Sequence, residues 1–294
     1  MALRLATRGS KLALAQAKAV AKLLGGAELV ESSSDGEPGD KSRFVRAVER
    51  ELLEGRADIA VHSAKDLPAA LPEELVIAGV PAREEPEDAW IGRGSTLDGV
   101  PEKSTVGTSS LRRRAQILAR RPDLEVVELH GNVDTRLKRL KGRKTLDAIV
   151  LAAAGLNRLR RDREISFLID VNQMTPAAGQ GALALQTRED DAEARDAAAS
   201  ISDEAALSEL TAERAAVGAL GASCNTPIGI CARRDGDRLR VDGFAGLPDG
   251  SIWVRDRFEG ELSDPIAAGE ELAQRMQSMG AAHILQMAEE GVAP

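Results

Sequence analysis

The stretch RADIAVHSAKDLP, residues 56–68, decides the fold of the first part of this 294-residue chain. Its apolar run at residues 57–61 is typical of a buried strand, and the polar group HSAKD follows directly. A similar junction, VGTSSLRRR at residues 106–114, leads from a strand through glycine and hydroxyl side chains into a helix. Because apolar runs and helical patterns alternate in this way over the first two thirds of the chain, we predict an α/β fold built from parallel βαβ units.

This α/β part divides into two doubly wound lobes, which resemble those of periplasmic binding proteins. We predict that the first lobe takes in residues 1–82 and 180–200, and the second residues 87–175. The last third changes character, with one long helix at residues 203–220, three β-like runs separated by the turn clusters DGD and PDG, and two closing helices. We therefore expect a smaller C-terminal α+β domain at residues 203–294.

Composition limits the classes of function. The formal net charge is −8, and aromatic residues make up 2% of the chain, with no tyrosine. Basic clusters such as LRRR and LRRDR suggest a nucleic-acid-binding factor, but the acidic total and the scarcity of aromatic residues for base stacking argue against this class. A steep dependence of nucleic-acid affinity on salt would restore it.

Cysteine content and the N-terminal segment bear on the compartment. Two cysteines, Cys224 and Cys231, are too few for a disulfide framework or a zinc site, and we predict no metal. The opening MALRLATRGSKLALAQ predicts a strand and an amphipathic helix rather than a secretory leader. No apolar run approaches the length of a membrane span. We therefore expect a cytoplasmic protein with reduced thiols and no membrane partner.

Basic and hydroxyl side chains follow predicted strands of both lobes, in the segments TRGS, HSAKD, VGTSSLRRR, HGNVDTR and LAAAGLNR. Ligands of open parallel sheets bind beyond the carboxyl ends of the strands, and the first turn of a helix favours anions. Because arginine binds carboxylates through paired hydrogen bonds, its concentration at these positions predicts a polyanionic ligand in the cleft between the lobes. The candidate contacts are Arg8, Ser10, Ser63, Lys65, Thr108, Ser109, Ser110, Arg112, Arg113, Gly131, Asn132, Arg136 and Arg158.

Each segment alone also has a plainer interpretation. HSAKD fits a solvated turn with a chance ion pair, and Ser109 or Ser110 fits a helix cap. Cys224, in GASCNTPIG, has small neighbours that leave a thiol accessible, whereas Cys231 is typical of a packed core residue. An isolated cysteine is more often inert, so these residues alone leave its role open.

In their order and approximate spacing, these segments resemble the porphobilinogen deaminase family. The segments that carry the resemblance cover nearly the whole chain, although its C-terminal end matches only loosely. They are LATRGSKLALAQ, RADIAVHSAKDLP, VGTSSLRRRAQ, RRPDLEV, GNVDTR, DAIVLAAAGLNRL, AAGQGAL, LTAERA and GASCNTPIG.

The resemblance implies a transferase of haem biosynthesis that joins four porphobilinogen units into hydroxymethylbilane and releases ammonia. It implies a dipyrromethane cofactor attached to Cys224 through a thioether. Asp66 would be the catalytic carboxylate, supported by Lys65, and the arginines above would bind the acetate and propionate groups of the pyrroles. Gln180, in AAGQG, joins the candidate contacts. We expect a monomer whose partner is a small-molecule substrate, with no nucleic acid bound.

Two departures from the family pattern concern the site. His130 stands where the family usually has an arginine, and an imidazole would weaken a carboxylate contact and make it sensitive to pH. We retain His130 as a candidate contact, and the alternative is a capping or packing residue. The loop SSSDGEPGDKSRF, residues 32–44, looks shorter than the family's flap, with Lys41 and Phe44 as the residues that would keep its contacts.

A non-catalytic cytoplasmic binding protein for a small polycarboxylate is the alternative function. It would use the same lobes and the same arginines. Asp66 and Cys224 distinguish the two hypotheses, because a binding protein needs neither of them. A covalent pyrrole adduct on the purified chain would therefore favour the enzyme.

Overall fold

The computed structural model describes residues 2–32, 42–142, 145–222 and 226–291. Two of the candidate site residues, Lys41 and Cys224, lie outside these ranges, as does most of the predicted flap. Within them, no helix is long and apolar enough to cross a lipid bilayer.

Strands and helices alternate along the first two thirds of the chain. The strands are β1 (Arg4–Arg8), β2 (Glu28–Ser32), β3 (Ile59–Ser63), β4 (Leu75–Gly79), β5 (Asp88–Gly92), β6 (Thr105–Gly107), β7 (Glu125–Val127), β8 (Ala148–Ala152), β9 (Phe167–Ile169), β10 (Leu183–Arg188), β11 (Ile228–Asp235), β12 (Arg238–Gly246) and β13 (Trp253–Glu261). The α-helices are α1 (Lys11–Leu23), α2 (Ser42–Leu53), α3 (Leu111–Arg120), α4 (Val133–Gly142), α5 (Ala153–Arg158), α6 (Ala192–Ser200), α7 (Glu204–Ala219), α8 (Pro265–Ser278) and α9 (Ala281–Glu290).

Two five-stranded sheets form the lobes, in the orders β2-β1-β3-β10-β4 and β7-β6-β8-β5-β9. Four strands in each sheet run in the same direction, and the fifth, β10 in the first sheet and β5 in the second, is antiparallel to both of its neighbours. The predicted two-lobed α/β fold with parallel units is confirmed, and each sheet also contains one antiparallel strand. The reason is that β5 and β10 each follow a crossing between the lobes and enter their sheet from the opposite direction.

Helix caps at the strand ends explain why the chain turns where it does. Ser10 Oγ accepts the N–H of Ala13 at 3.2 Å and begins α1. Ser110 Oγ accepts the N–H of Arg113 at 3.4 Å and begins α3. Each cap satisfies an N–H group that the first turn leaves without a helical partner, so the strand-to-helix junction is encoded locally.

The C-terminal unit is an antiparallel sheet, β11-β12-β13, covered by α7, α8 and α9. Its core is largely aliphatic, with Leu239, Val241 and Leu272 fully buried. A Cβ at Gly243 would lie 2.3 Å from Met276 Sδ, so glycine is needed for the close approach of α8. Three separate sheets agree with a division into three domains, but the residue boundaries given above stay a prediction.

Candidate functional site

The strand ends identified in the sequence lie on the face where the two lobes meet. A Cβ on Gly155 of α5 would lie 3.6 Å from Leu12 Cδ2 of α1. Lys11 Nζ, also in α1, lies 3.4 Å from Asp134 Oδ2 of α4. Because α1 follows β1 while α4 and α5 follow strands of the second lobe, these contacts bring the strand ends of both lobes together.

A buried carboxylate between two arginines forms the core of this site. Asp88, the first residue of β5, is 0% exposed and accepts from Arg112 Nη1 at 2.7 Å and from Arg113 Nε at 2.9 Å. Arg112 Nη1 also donates to Thr175 O at 2.8 Å, and Arg113 Nη1 donates to Val150 O at 3.0 Å. Burial opposes ionisation, but the two guanidinium groups hold the pKa of Asp88 well below its usual range. Arg112 and Arg113 are thus partly neutralised inside the protein, and their binding to a ligand stays a prediction.

Gln180 connects the two lobes through this core. Its Nε2 donates to Asp88 Oδ1 at 2.9 Å and to Pro86 O at 2.6 Å. Its Oε1 accepts from Lys65 Nζ of the first lobe at 3.3 Å. The predicted residues Lys65 and Gln180 are therefore in direct contact, and both lie beside Asp88.

Two glycines hold Gln180 in place. Gly179 has a φ of +72°, and a Cβ there would lie 2.7 Å from Lys65 N. Gly181 has a φ of +88°, and a Cβ there would lie 2.2 Å from Glu84 O. Because both positions require positive φ and close backbone contact, the GQG segment admits no other residue type at its two ends.

Lys65 and Asp66 lie in the 3-10 turn Ala64–Asp66, directly after β3. Asp66 is exposed, and Lys65 is half-buried. Burial, with the positive charges of Arg113 and Arg112, lowers the pKa of Lys65 to about 8, although Asp66 and Asp88 oppose this change. Lys65 is therefore a cation that its own surroundings disfavour, and a bound anion would stabilise it.

The same imbalance of charge is found at Arg136 in α4. Its Nε donates to Gly131 O at 2.7 Å, and its Nη2 donates to Ser109 Oγ at 3.1 Å. Burial and the positive charges of Arg113 and Arg139 lower the pKa of Arg136 to about 10. An anion between these guanidinium groups would offset their mutual repulsion.

Arg8 and Arg158 complete the basic lining. Burial lowers the pKa of Arg8, an effect that the charge of Asp66 partly offsets, and its guanidinium lies 3.8 Å from the ring centre of Phe44. Burial also lowers the pKa of Arg158, whose Nη2 donates to Gly181 O at 2.7 Å. These contacts are with a ring and a backbone oxygen, and among the described residues Asp66 and Glu84 only partly offset the effect of burial on the two arginines.

Several predicted hydroxyl and amide positions make local contacts. Ser63 Oγ accepts from Gln16 Nε2 at 2.9 Å, and Thr108 Oγ1 accepts the N–H of Ser110 at 3.2 Å. Asn132 Oδ1 accepts the N–H of Thr135 at 2.9 Å at the start of α4. All of these residues lie at the strand ends, and their contact with a ligand stays a prediction.

His130 is placed differently from the other candidates. Its side chain is 69% exposed, and its Nε2 lies 2.9 Å from Glu128 Oε2. The backbone oxygen of His130 accepts from Arg139 Nη1 at 2.9 Å. The imidazole thus lies in solvent beside a carboxylate, and its contact with a ligand stays a prediction.

Sequence reasoning overlooked two buried carboxylates, Asp88 and Glu213. Glu213 Oε1 lies 2.8 Å from Arg83 Nη2 and accepts the N–H of Ala232 at 2.8 Å, while its Oε2 accepts the N–H of Gly179. It therefore joins a crossing segment, the GQG segment and β11. A signal of burial was present, since apolar residues follow Asp88 and flank the segment around Glu213. The segments EEPED and LTAERA, however, also fit solvated surfaces.

The C-terminal unit approaches the Asp88 core through β11. A Cβ on Gly229 would lie 2.5 Å from Thr175 O, the same oxygen that accepts from Arg112. Thr226, two residues before β11, is 6% exposed. Thr226 is the first described residue after the segment that contains Cys224, and the strand that follows it packs on the core.

Comparison with known proteins matches two parts of the chain to two domains of one family. Residues 3–196 match the family model "Porphobilinogen deaminase, dipyromethane cofactor binding domain", and residues 207–278 match "Porphobilinogen deaminase, C-terminal domain". The porphobilinogen deaminase of Roseiflexus sp. (strain RS-1) is 45% identical over 248 residues, which cover 84% of this chain and 81% of that one. That of Syntrophus aciditrophicus is 38% identical over 98% of this chain and 99% of its own.

A solved structure shares some of the architecture. A TRAP periplasmic solute binding protein from Desulfovibrio salexigens covers 69% of this chain and 72% of its own, with a TM-score of 0.42 and 10% identity. A likeness this weak supports no conclusion about function.

Proposed function

This chain belongs to the porphobilinogen deaminase family, and from this membership we propose that its cationic cleft is the site where porphobilinogen is joined into hydroxymethylbilane with release of ammonia. The activity is that of a transferase in tetrapyrrole biosynthesis. The observation that carries the proposal is the concentration of Lys65, Arg8, Arg136 and Arg158 at one face, beside the exposed carboxylate of Asp66.

The residues present fit a dipyrromethane cofactor. Each pyrrole bears an acetate and a propionate, so the cofactor and the chain built on it carry many negative charges. Burial, together with the positive charge of neighbouring arginines, lowers the pKa values of Lys65 and Arg136, and such carboxylates would stabilise both cations. When bound, the cofactor supplies the terminal pyrrole to which the first substrate unit is joined.

Arg8, Arg136 and Arg158 are proposed to bind carboxylates of the substrate and of the growing chain. Ser10, Ser63, Thr108, Ser109, Ser110, Gly131 and Asn132 would add hydrogen bonds from the strand ends. Arg112, Arg113 and Gln180 hold Asp88 and so keep the site in shape, and the two arginines would turn their remaining N–H groups toward the ligand. Positioning of this kind brings the reacting carbons together without a large loss of entropy in the reaction step.

Asp66 is proposed as the catalytic carboxylate. As the C–N bond of porphobilinogen breaks and ammonia leaves, positive charge builds up on the pyrrole, and a nearby carboxylate stabilises it. After the new C–C bond forms, the ring carbon of the terminal pyrrole that made the bond must lose its proton, which an Asp66 oxygen can accept. Lys65, next in the chain, would bind a substrate carboxylate and keep it close to Asp66.

Cys224 is proposed as the attachment point of the cofactor, through a thioether. The other thiol is a poor candidate, since Cys231 is 0% exposed and burial raises its pKa to about 12. β11, which begins four residues after Cys224 in the chain, packs against Thr175 O.

The finer organisation is also a proposal. We propose a cytoplasmic monomer with domains at residues 1–82 plus 180–200, 87–175 and 203–294. The three separate sheets support these boundaries. Sedimentation of the purified chain would test the monomer, and limited proteolysis would test the boundaries.

Intact mass spectrometry before and after incubation with porphobilinogen tests the function. The purified chain should be heavier than its sequence by one dipyrrole, and substrate should add further pyrrole units stepwise. Cys224→Ser should abolish the adduct, whereas the matched variant Cys231→Ser should keep it. A chain that binds porphobilinogen without any covalent increment would support the polycarboxylate-binding protein instead.

A further inference from the structure

Two hydrogen bonds join the backbone of Thr175 to a side-chain amide. Its N–H donates to Gln116 Oε1 at 2.7 Å, and its oxygen accepts from Gln116 Nε2 at 2.9 Å. The same oxygen accepts from Arg112 Nη1 at 2.8 Å. Gln116 and Thr175 are each 1% exposed. Gln116 therefore orients the peptide that orients Arg112, since water cannot replace these bonds.

Arg255 holds the same Gln116 amide from the C-terminal unit. Its Nη2 donates to Gln116 Oε1 at 3.0 Å. The N–H and the oxygen of Thr175 fix the direction of this amide, because an amide turned by 180° would place donor against donor and acceptor against acceptor. Arg255 adds a second donor to Oε1 and so strengthens the same orientation.

Arg255 belongs to β13 of the C-terminal unit, whereas Gln116 belongs to α3 of the second lobe. Arg255 donates to the backbone oxygens of Asn172 and Gln173, the latter at 3.2 Å. Its guanidinium also lies 5.6 Å from the ring centre of Phe244 on the neighbouring strand. These contacts hold the guanidinium where the two units meet, so the position of β13 is transmitted to Gln116.

We propose that Arg255 and Gln116 are positioning residues, through which the C-terminal unit sets the orientation of Arg112 in the cleft. The inference rests on the proposed function, in which Arg112 helps to bind substrate carboxylates. Loss of Arg255 removes one of the two donors to Gln116 Oε1 and the bonds to the backbone at residues 172–173, so Gln116 and the segment that carries Thr175 O are held less firmly against Arg112. Because a carboxylate contact acts on ground state and transition state alike, the effect falls on KM rather than on kcat.

Arg255→Gln, Arg255→Lys and Arg257→Gln test the proposal in the holoenzyme. Arg257 is a matched control, since it lies on the same strand and the same interface and donates to Asn172 Oδ1 and Asp242 Oδ1. We expect Arg255→Gln to raise the KM for porphobilinogen about threefold to tenfold with kcat within about twofold. Arg255→Lys should recover much of the loss, since it restores a donor to Gln116 Oε1, and Arg257→Gln should leave KM unchanged.

The outcomes separate this inference from the function on which it rests. An active parent chain in which Arg255→Gln and Arg257→Gln give the same KM would overturn the role of Arg255. A fall in kcat at unchanged KM, or equal losses in Arg255→Gln and Arg255→Lys, would do the same. A parent chain that carries no cofactor and does not consume porphobilinogen would overturn the proposed function, and the inference with it.

Discussion

Replacement of Asp88 by asparagine removes the negative charge that two buried arginines share. Asp88 is 0% exposed, and the side chains of Arg112 and Arg113 that donate to it are 4% and 7% exposed. Gln180 adds a further hydrogen bond at 2.9 Å. Asparagine keeps the size of the side chain and one acceptor oxygen, so the change isolates the charge.

The expected loss follows from the cost of leaving buried charge without a partner. Breaking a buried ion pair by removing one partner costs about 3–5 kcal/mol of the free energy of unfolding. We expect about 3 kcal/mol for Asp88→Asn, because one acceptor remains. A loss of 1 kcal/mol lowers the unfolding midpoint by about 2–4 °C in a large domain, so the midpoint should fall by about 6–12 °C.

Thermal unfolding followed by circular dichroism across pH measures this loss. The pKa of Asp88 is lower in the folded chain than in the unfolded one, so its charge contributes stability above about pH 4 and loses that contribution as pH falls further. The difference between parent and Asp88→Asn should therefore be constant from about pH 5 to 8 and should shrink toward pH 3.

The ion pair between Asp98 and Arg120, the last residue of α3, provides a control variant. Asp98 receives two hydrogen bonds from Arg120, at 2.6 and 2.8 Å, but the two side chains are 58% and 41% exposed. Exposed ion pairs contribute little, so Asp98→Asn should leave the midpoint nearly unchanged. Equal midpoints for the two variants would refute the reasoning about Asp88.

Three further predictions concern the first lobe. Asp66→Asn should lower kcat by about a hundredfold or more and leave the unfolding midpoint nearly unchanged, since Asp66 is exposed; steady-state kinetics with near-parent turnover would contradict this. Burial and Arg113 lower the pKa of Lys65 to about 8, so KM for porphobilinogen should rise as pH increases from about 7 to 9, and Lys65→Arg should flatten that rise. Burial lowers the pKa of His62 to about 4, so the neutral imidazole stabilises the fold, and stability should be lost as pH falls from about 6.5 to 4. A His62→Gln chain should lack this loss, and an equal fall of its unfolding midpoint over the same pH range would contradict the prediction.

Local sequence patterns account for the elements that frame the site. The run at residues 57–61 followed by HSAKD predicted a strand that ends in a polar turn, and β3 with the turn Ala64–Asp66 has that arrangement. Ser10 and Ser110 cap helices whose first turns follow them in the chain. Such features depend on neighbours a few residues away, so they can be recognised without the fold.

Some elements had no local signal. β2, β9, β10, α5 and α6 were not predicted, and of these the strand β9 is only three residues long and the helix α5 six. Short elements of this kind form because the sheet or the adjoining loop provides their hydrogen bonds, and their own residues show no periodicity of sufficient length.

The sequence by itself determined that two α/β lobes would place basic residues at their strand ends, because that arrangement follows from local alternation and from the direction of the chain. Only the tertiary structure decided which of those charges are already paired. Asp88 meets Arg112 and Gln180 across 24 and 92 residues of chain, and Arg255 reaches Gln116 across 139. Partners so distant are set by the packing of lobes against one another, which no local pattern records.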